Sequence, residues 1–202
     1  MRRGDSADYA LSTPDAQKVL NACSTLEERF IIGSQIFLGL RAGELAHFNS
    51  QWITSDGQNI KIPLFMPCSC VYCARRSNEW RPKTKAGARM LPISKPLRPV
   101  LTKFLEKSPG GLGYSRIGVY NKTKAVLKRV KLMKRPGLAG GVPFPHALRA
   151  TCAGILARAG MSAIALCFFM GWESIQIADH YIRASQAQDE ALRQARAIFD
   201  KT

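Results

Sequence analysis

The sequence predicts an α+β fold, mostly helical, with one small antiparallel sheet. Three observations predict it. Downstream of Pro96 the apolar residues recur at helical spacing almost to the C-terminus. Strand-like runs fall only between Trp52 and Ile93, around Asp56-Gly57 and Lys85-Ala86-Gly87 turns. Hydrophobic residues make up 46% of the 202, enough for a core in one compact domain and too many for a disordered chain.

Ser12-Thr13-Pro14-Asp15 opens the first helix, with a hydroxyl cap and proline in the first turn. Leu11, Val19 and Leu20 should face the core. Thr25-Leu26-Glu27-Glu28 is a capping box before a second helix, expected over 30–40. A short third helix is expected over 43–48. Two strand candidates follow at 52–54 and 59–64. Two more, 79–83 and 88–93, should pair across the Lys85-Ala86-Gly87 turn. Helices are then expected over 97–106, 117–131, 145–159, 163–170 and 175–183. A last amphipathic helix should run over 188–199, with Ala191, Leu192, Ala195, Ile198 and Phe199 on its apolar side. The Pro/Gly-rich stretch 135–145 reads as a loop.

Charge narrows the function. The formal net charge is +16. Residues 75–135 hold 18 Lys and Arg and only two acids, Glu79 and Glu106, so this segment carries the whole excess. Concentration of this kind points to a polyanionic partner, though a solvated basic face is the plainer alternative. The longest apolar run, 161–172, is too short to span a bilayer. No signal-type run follows Met1. Membrane and export addresses are therefore not expected, and the cytoplasm is.

Few residues can do chemistry. His146 and Arg149 sit three apart in a helix opened by Pro145, on one face near its positive end. There an arginine fork can bind phosphate oxygens while an imidazole handles a proton. Arg41 follows an apolar run, and Glu44, three residues on, is its nearest carboxylate. Tyr181 lies in the Gly171–Tyr181 stretch. Taken singly, each has an ordinary structural explanation: surface decoration, an ion pair, a packed ring.

Their order and spacing resemble a known family. Leu38-Gly39-Leu40-Arg41-Ala42-Gly43-Glu44-Leu45 is similar to the first arginine box of tyrosine recombinases, the phage-integrase family. His146-Ala147-Leu148-Arg149 is similar to the second box. Residues 166–181 resemble the third, in which a Gly-His or Gly-Trp pair precedes the nucleophilic tyrosine by nine residues, as Trp172 precedes Tyr181. Lys83-Thr84-Lys85-Ala86-Gly87-Ala88-Arg89-Met90-Leu91-Pro92 resembles the hairpin bearing the catalytic lysine, in a version most like archaeal and archaeal-virus integrases. The likeness runs from about Leu11 to Ser185.

The resemblance implies a tyrosine recombinase catalytic-domain fold and a site-specific recombinase or integrase. Tyr181 would attack a DNA phosphodiester and form a 3′-phosphotyrosyl link. Arg41 and Arg149 would hold the non-bridging oxygens. Lys85 would protonate the departing 5′ oxygen, with Lys83 the second choice. His146 would take a proton from Tyr181, Trp172 would support the phosphate through its indole N–H, and Glu44 would orient the first arginine. Lys83, Arg89, Lys122, Lys124 and Lys128 would meet DNA. Neither ATP nor a catalytic metal is called for. The resemblance further implies a homo-tetramer on duplex attachment sites and a monomer or weak dimer without DNA. The segment 186–202 would be the element exchanged between protomers, and the family's N-terminal core-binding domain is not expected in this chain. The alternatives are a type IB topoisomerase, with the same residue set, and a DNA-binding module without catalysis. A metal nuclease is disfavoured, because the central region lacks clustered carboxylates.

Six cysteines remain. Cys23, Cys152 and Cys167 sit in apolar contexts and read as core residues. Cys68, Cys70 and Cys73 fall between the first strands and the lysine hairpin. Three thiolates in six residues suit a structural zinc with one more ligand. The sequence offers no convincing fourth, His47 being the only nearby histidine, and reduced thiols or a disulfide are the alternatives.

Overall fold

A computed structural model describes residues 9–75, 77–130, 132 and 145–199, and only the backbone of 185–192, 194, 195 and 197. Two buried helices organise the molecule. Helix α1 (Thr13–Asn21) starts where Ser12 Oγ accepts the Asp15 N–H. Helix α2 (Leu26–Phe37) is capped by Thr25, whose hydroxyl accepts the Glu28 N–H. Every residue from Phe30 to Ile36 is buried, so this stretch of α2 has no solvent face and must be enclosed on all sides. It is enclosed by α1, α5 (Arg98–Lys107), α6 (Arg116–Arg129) and α7 (Pro145–Arg158). Helix α7 is equally submerged, from Ala147 to Gly154. Leu148 of α7 joins Ile32 and Ile36 of α2 in one apolar cluster with Val19 and Val126.

On the other side of α2, Phe30 stacks on Phe104 of α5 with ring centroids 4.0 Å apart. Phe48, Trp52, Ile60, Ile62 and Leu91 complete that cluster. Beyond α7, helices α8 (Ala163–Met170) and α9 (Ile175–Phe199) close a third cluster that takes in Met170, Ala178 and Tyr181. Glu28 fastens α2 to α6: both its oxygens accept from Arg129, at 2.6 and 2.8 Å. Among the described residues no helix is long and apolar enough to cross a membrane.

The strands differ from expectation. Strand β1 (Asn59–Ile62) pairs antiparallel with β4 (Arg89–Pro92), Ile60 opposite Leu91. Strand β2 (Met66–Pro67) pairs with β3 (Glu79–Trp80). The runs at 79–83 and 88–93 therefore do not form a hairpin with each other. Burial explains the choice: Ile60, Ile62, Arg89 and Leu91 share one inward face, whereas Trp80 turns toward Trp52, 5.2 Å away between centroids. Lys85–Gly87 is a 3-10 turn linking the two pairs. Ser50–Trp52 is another 3-10 turn, followed by a single bridge between Ile53 and Ile60.

The helix ends also shift. Helix α3 spans only Ala42–Leu45, and a one-turn helix α4 (Val71–Ala74) forms within the cysteine segment. The two C-terminal helices expected are one continuous α9. Ala184-Ser185-Gln186-Ala187 contains neither proline nor glycine, so nothing stops the backbone there. The expected 135–145 loop lies outside the described residues except for Pro145, which opens α7.

Candidate active site

The site begins where α2 ends. Gly39 takes a left-handed φ of +59°, and a Cβ there would lie 2.9 Å from the Met170 methyl group, so only glycine fits the turn. The chain then enters α3 with Arg41 as the N-cap residue. Glu44 reaches back: its Oε2 accepts the Arg41 N–H at 2.9 Å, and its Oε1 accepts Arg41 Nη1 at 2.8 Å. This is the expected pair, but it is not a pair alone. Arg89 of β4 brings Nη1 to Glu44 Oε1 at 3.1 Å and Nη2 to Oε2 at 3.2 Å.

The guanidiniums converge on a second feature, the C-terminal end of α8. Arg89 Nε donates to the Phe169 carbonyl at 2.8 Å, and Arg41 Nη2 donates to the Gly171 carbonyl at 2.9 Å. Arg149 of α7 donates to the Met170 carbonyl between them, and to Gly39. The last carbonyls of a helix lack partners within it and carry the negative end of its dipole. Three consecutive carbonyls thus receive three arginines. Gly171, left-handed at φ +61°, ends the helix so that they are presented.

Three guanidiniums face one carboxylate, so the cluster keeps two positive charges uncompensated by any acid within it. Burial alone would raise the Glu44 carboxyl, but Arg89, Arg149 and Arg41 outweigh it and hold it at about 2. Burial, then the like charge of Arg41, pushes Arg149 down to about 9, still charged at neutral pH. His146 is exposed to solvent over part of its side chain. Burial of the rest of its ring, then Arg149, Arg41 and Lys83, push its pKa below the usual range. Its imidazole is therefore neutral near pH 7 and can accept a proton.

Trp172 layers over this cluster. Its ring lies 5.9 Å from the Arg149 guanidinium carbon on one side and stacks on Tyr181 at 5.2 Å. The fold thus gathers Arg41, Glu44, His146, Arg149, Trp172 and Tyr181 from four separate stretches of chain. Tyr181 is 4% exposed. Lys83 and Lys85 are both exposed, Lys85 on the 3-10 turn, and the Lys83 charge acts on His146.

Arg89 requires a correction. It was expected at the DNA surface, yet its side chain is fully enclosed and bonded to Glu44, Gly87 and Phe169. The signal was in the sequence: strand alternation puts Arg89 on the same face as Leu91. Lys122, Lys124 and Lys128 lie apart, on α6. Lys122 bonds Glu27 at 3.0 Å and Lys124 sits over the Tyr120 ring.

The cysteine segment has a partner that the sequence left unresolved. His47 Nε2 lies 3.5 Å from both Cys70 Sγ and Cys73 Sγ. With Cys68, the four ligand atoms fall within 4.8 Å of one another. Burial raises Cys70, but hydrogen bonds from the Cys73 backbone and His47 prevail and hold it at about 6. Burial and the neighbouring sulfurs push Cys73 up to about 12.

Residues 10–188 match the profile described as the phage integrase family. No curated protein is significantly similar in sequence. Among solved structures, the XerA recombinase superposes with a TM-score of 0.67 at 16% identity, over 94% of this chain and 62% of that one. The Tn1549 transposon integrase in complex with transposon right end DNA gives 0.64 at 18%, over 92% and 66%. The catalytic domain of bacteriophage HP1 integrase gives 0.59 at 15%, over 92% and 93%. At these identities the likeness is one of fold. The chain spans less than two thirds of the length of the first two.

The Glu44 carboxylate is the testable keystone. Glu44→Gln leaves the buried guanidiniums of Arg89 and Arg149 and the partly exposed one of Arg41 without a counter-charge and should cost about 3–5 kcal/mol, read from urea unfolding. The acid limb gives a second readout. With a folded pKa of about 2 against an ordinary 4.5, the carboxylate's contribution is complete above pH ~4.5 and is lost as pH falls through about 2. The Gln variant should show a shallower loss of stability across that window.

Proposed function

The chain belongs to the phage integrase family, and from that premise we propose that it cuts and rejoins double-stranded DNA at specific sites through a 3′-phosphotyrosyl intermediate. The observation that carries the reading is the cluster of Arg41, Arg89 and Arg149 around one carboxylate, beside a neutral His146 and the Trp172–Tyr181 stack.

The chemistry follows from the charge. A phosphodiester brings one negative charge, and its pentavalent transition state gathers more on the non-bridging oxygens. Arg41, with its side chain 17% exposed, binds those oxygens directly. Arg149 supports them from below, and Arg89 holds Glu44 so that Arg41 stays aimed. His146 takes the phenolic proton as Tyr181 attacks, and the bond from phosphorus to the 5′ oxygen breaks. We place the proton donor to that oxygen on the Lys83–Lys85 stretch, where both lysines are exposed: the resemblance favours Lys85, the charge of Lys83 acts on His146, and the variants below distinguish them. Rejoining is the reverse: the 5′ hydroxyl attacks the phosphotyrosine and Tyr181 leaves. No bond energy is lost, so no nucleotide is consumed. Tyr181 is buried against Trp172, so attack requires the start of α9 to shift when DNA binds.

DNA would lie along the basic 75–135 segment, touching Lys83, Lys122, Lys124 and Lys128. Four copies would assemble on paired sites. Ile198 and Phe199 at the end of α9 are 63% and 74% exposed, which supports docking of this helix on a neighbouring copy. The Lys83–Arg89 sequence supports an archaeal or archaeal-virus element, acting at the nucleoid.

Three outcomes test the reading. On a nicked duplex carrying the attachment site, the parent chain should form a covalent adduct on a denaturing gel, and Tyr181→Phe should form none while binding DNA about as well. An adduct from the Phe variant would move the nucleophile elsewhere. A substrate with sulfur in place of the departing 5′ oxygen needs no proton donor. It should restore cleavage to whichever of Lys83→Ala and Lys85→Ala loses it on the ordinary substrate, whereas an intact rate in both would move the acid elsewhere. Finally, Lys124→Glu with Lys128→Glu should weaken all duplexes about equally and flatten the salt dependence of binding. A loss confined to one sequence would mean that these residues read bases.

A further inference from the structure

We propose that His47, Cys68, Cys70 and Cys73 bind one Zn²⁺ tetrahedrally, and that the ion fastens the 66–80 segment to the helix that presents Arg41. Nothing in the recombination chemistry uses these four side chains, so the inference is independent of the function proposed above.

The geometry carries it. A tetrahedral ion with arms of ~2.3 Å to sulfur and ~2.05 Å to nitrogen sets S···N edges of about 3.5 Å. The two S···N separations at His47 are both 3.5 Å, and all four ligand atoms lie within 4.8 Å. The histidine is also prepared for the role. Its Nδ1 is 2.8 Å from the Gly43 carbonyl. A carbonyl only accepts, so Nδ1 carries the proton, and Nε2 turns a lone pair toward the sulfurs. Fixing the far nitrogen in this way is how zinc-binding histidines are held. Trp80 stacks on the ring at 5.2 Å and limits its rotation.

The segment needs such a fastening. It contains two strands of two residues each and a single helical turn. Pieces this short do not hold their shape alone. Cys70 caps α4 and Cys73 lies within it, buried at 2%. Cys68 sits at the end of β2, its N–H bonded to the Asn78 carbonyl. The ion would thus join β2, α4 and, through His47, the far end of the α3 segment that begins at Arg41. A disulfide would use two sulfurs and leave the third thiol and the oriented imidazole without a role.

The test uses the unaltered chain, purified under reducing conditions with zinc present. It should retain one zinc per chain after dialysis. Replacement by Co²⁺ should give intense thiolate-to-metal charge-transfer bands and the visible bands of a tetrahedral ion. Chelation should lower its thermal midpoint. Cys70→Ser and His47→Ala should each weaken zinc binding by at least about tenfold, while Cys167→Ser should not. A metal-free chain with no charge-transfer bands, or a disulfide among these cysteines found by mass spectrometry, would overturn the site. His47→Ala binding zinc as tightly as the parent would overturn the ligand set. The cobalt spectrum is read on the unaltered chain, so a variant that fails to fold does not remove the test.

Discussion

One buried carboxylate carries the architecture of the candidate site. Glu44 has both oxygens committed to arginines, and those arginines come from α3 and from β4. Arg149 of α7 adds its charge without touching Glu44 directly. Without the carboxylate, two buried guanidiniums and the partly exposed one of Arg41 would crowd together with no counter-charge. With it, they can be packed close while the cluster remains net positive. That imbalance is what a phosphate-binding pocket requires.

The end of α8 supplies what the carboxylate cannot. A helix terminus has carbonyls that need donors, and buried arginines have donors that need acceptors. Phe169, Met170 and Gly171 meet Arg89, Arg149 and Arg41 in register. The left-handed turns at Gly39 and Gly171 are where the backbone comes close enough. A helix end thereby becomes the floor of the site, and α9, starting four residues later, brings Tyr181 back over it.

Helix α3 couples two regions that are distant in sequence. Arg41 begins it and His47 lies just past its end, bonded back to Gly43. The cysteine segment therefore leans on the same short element that aims the first arginine. Packing at one end bears on orientation at the other, because a helix of four residues has little rigidity of its own.

Much was legible from sequence because the relevant signals are local. Ser12, Thr25 and Pro145 start helices by satisfying or removing backbone donors within a few residues. The Arg41–Glu44 pair needs only three-residue spacing. The continuity of α9 was not read, although no breaker separates the two stretches expected as separate helices. What else escaped depends on contacts across the chain. Arg89 became part of the cluster because β4 pairs with β1 and turns its first side chain inward. His47 became a partner of the cysteines because Trp80 draws β3 down beside α3. The sequence by itself determined which residue types were available and which short segments were helical, since propensity, capping and spacing act within a turn or two. Tertiary structure decided which charges share a carboxylate and which thiols share a histidine, because burial and Coulomb energy depend on distances that only the folded chain sets.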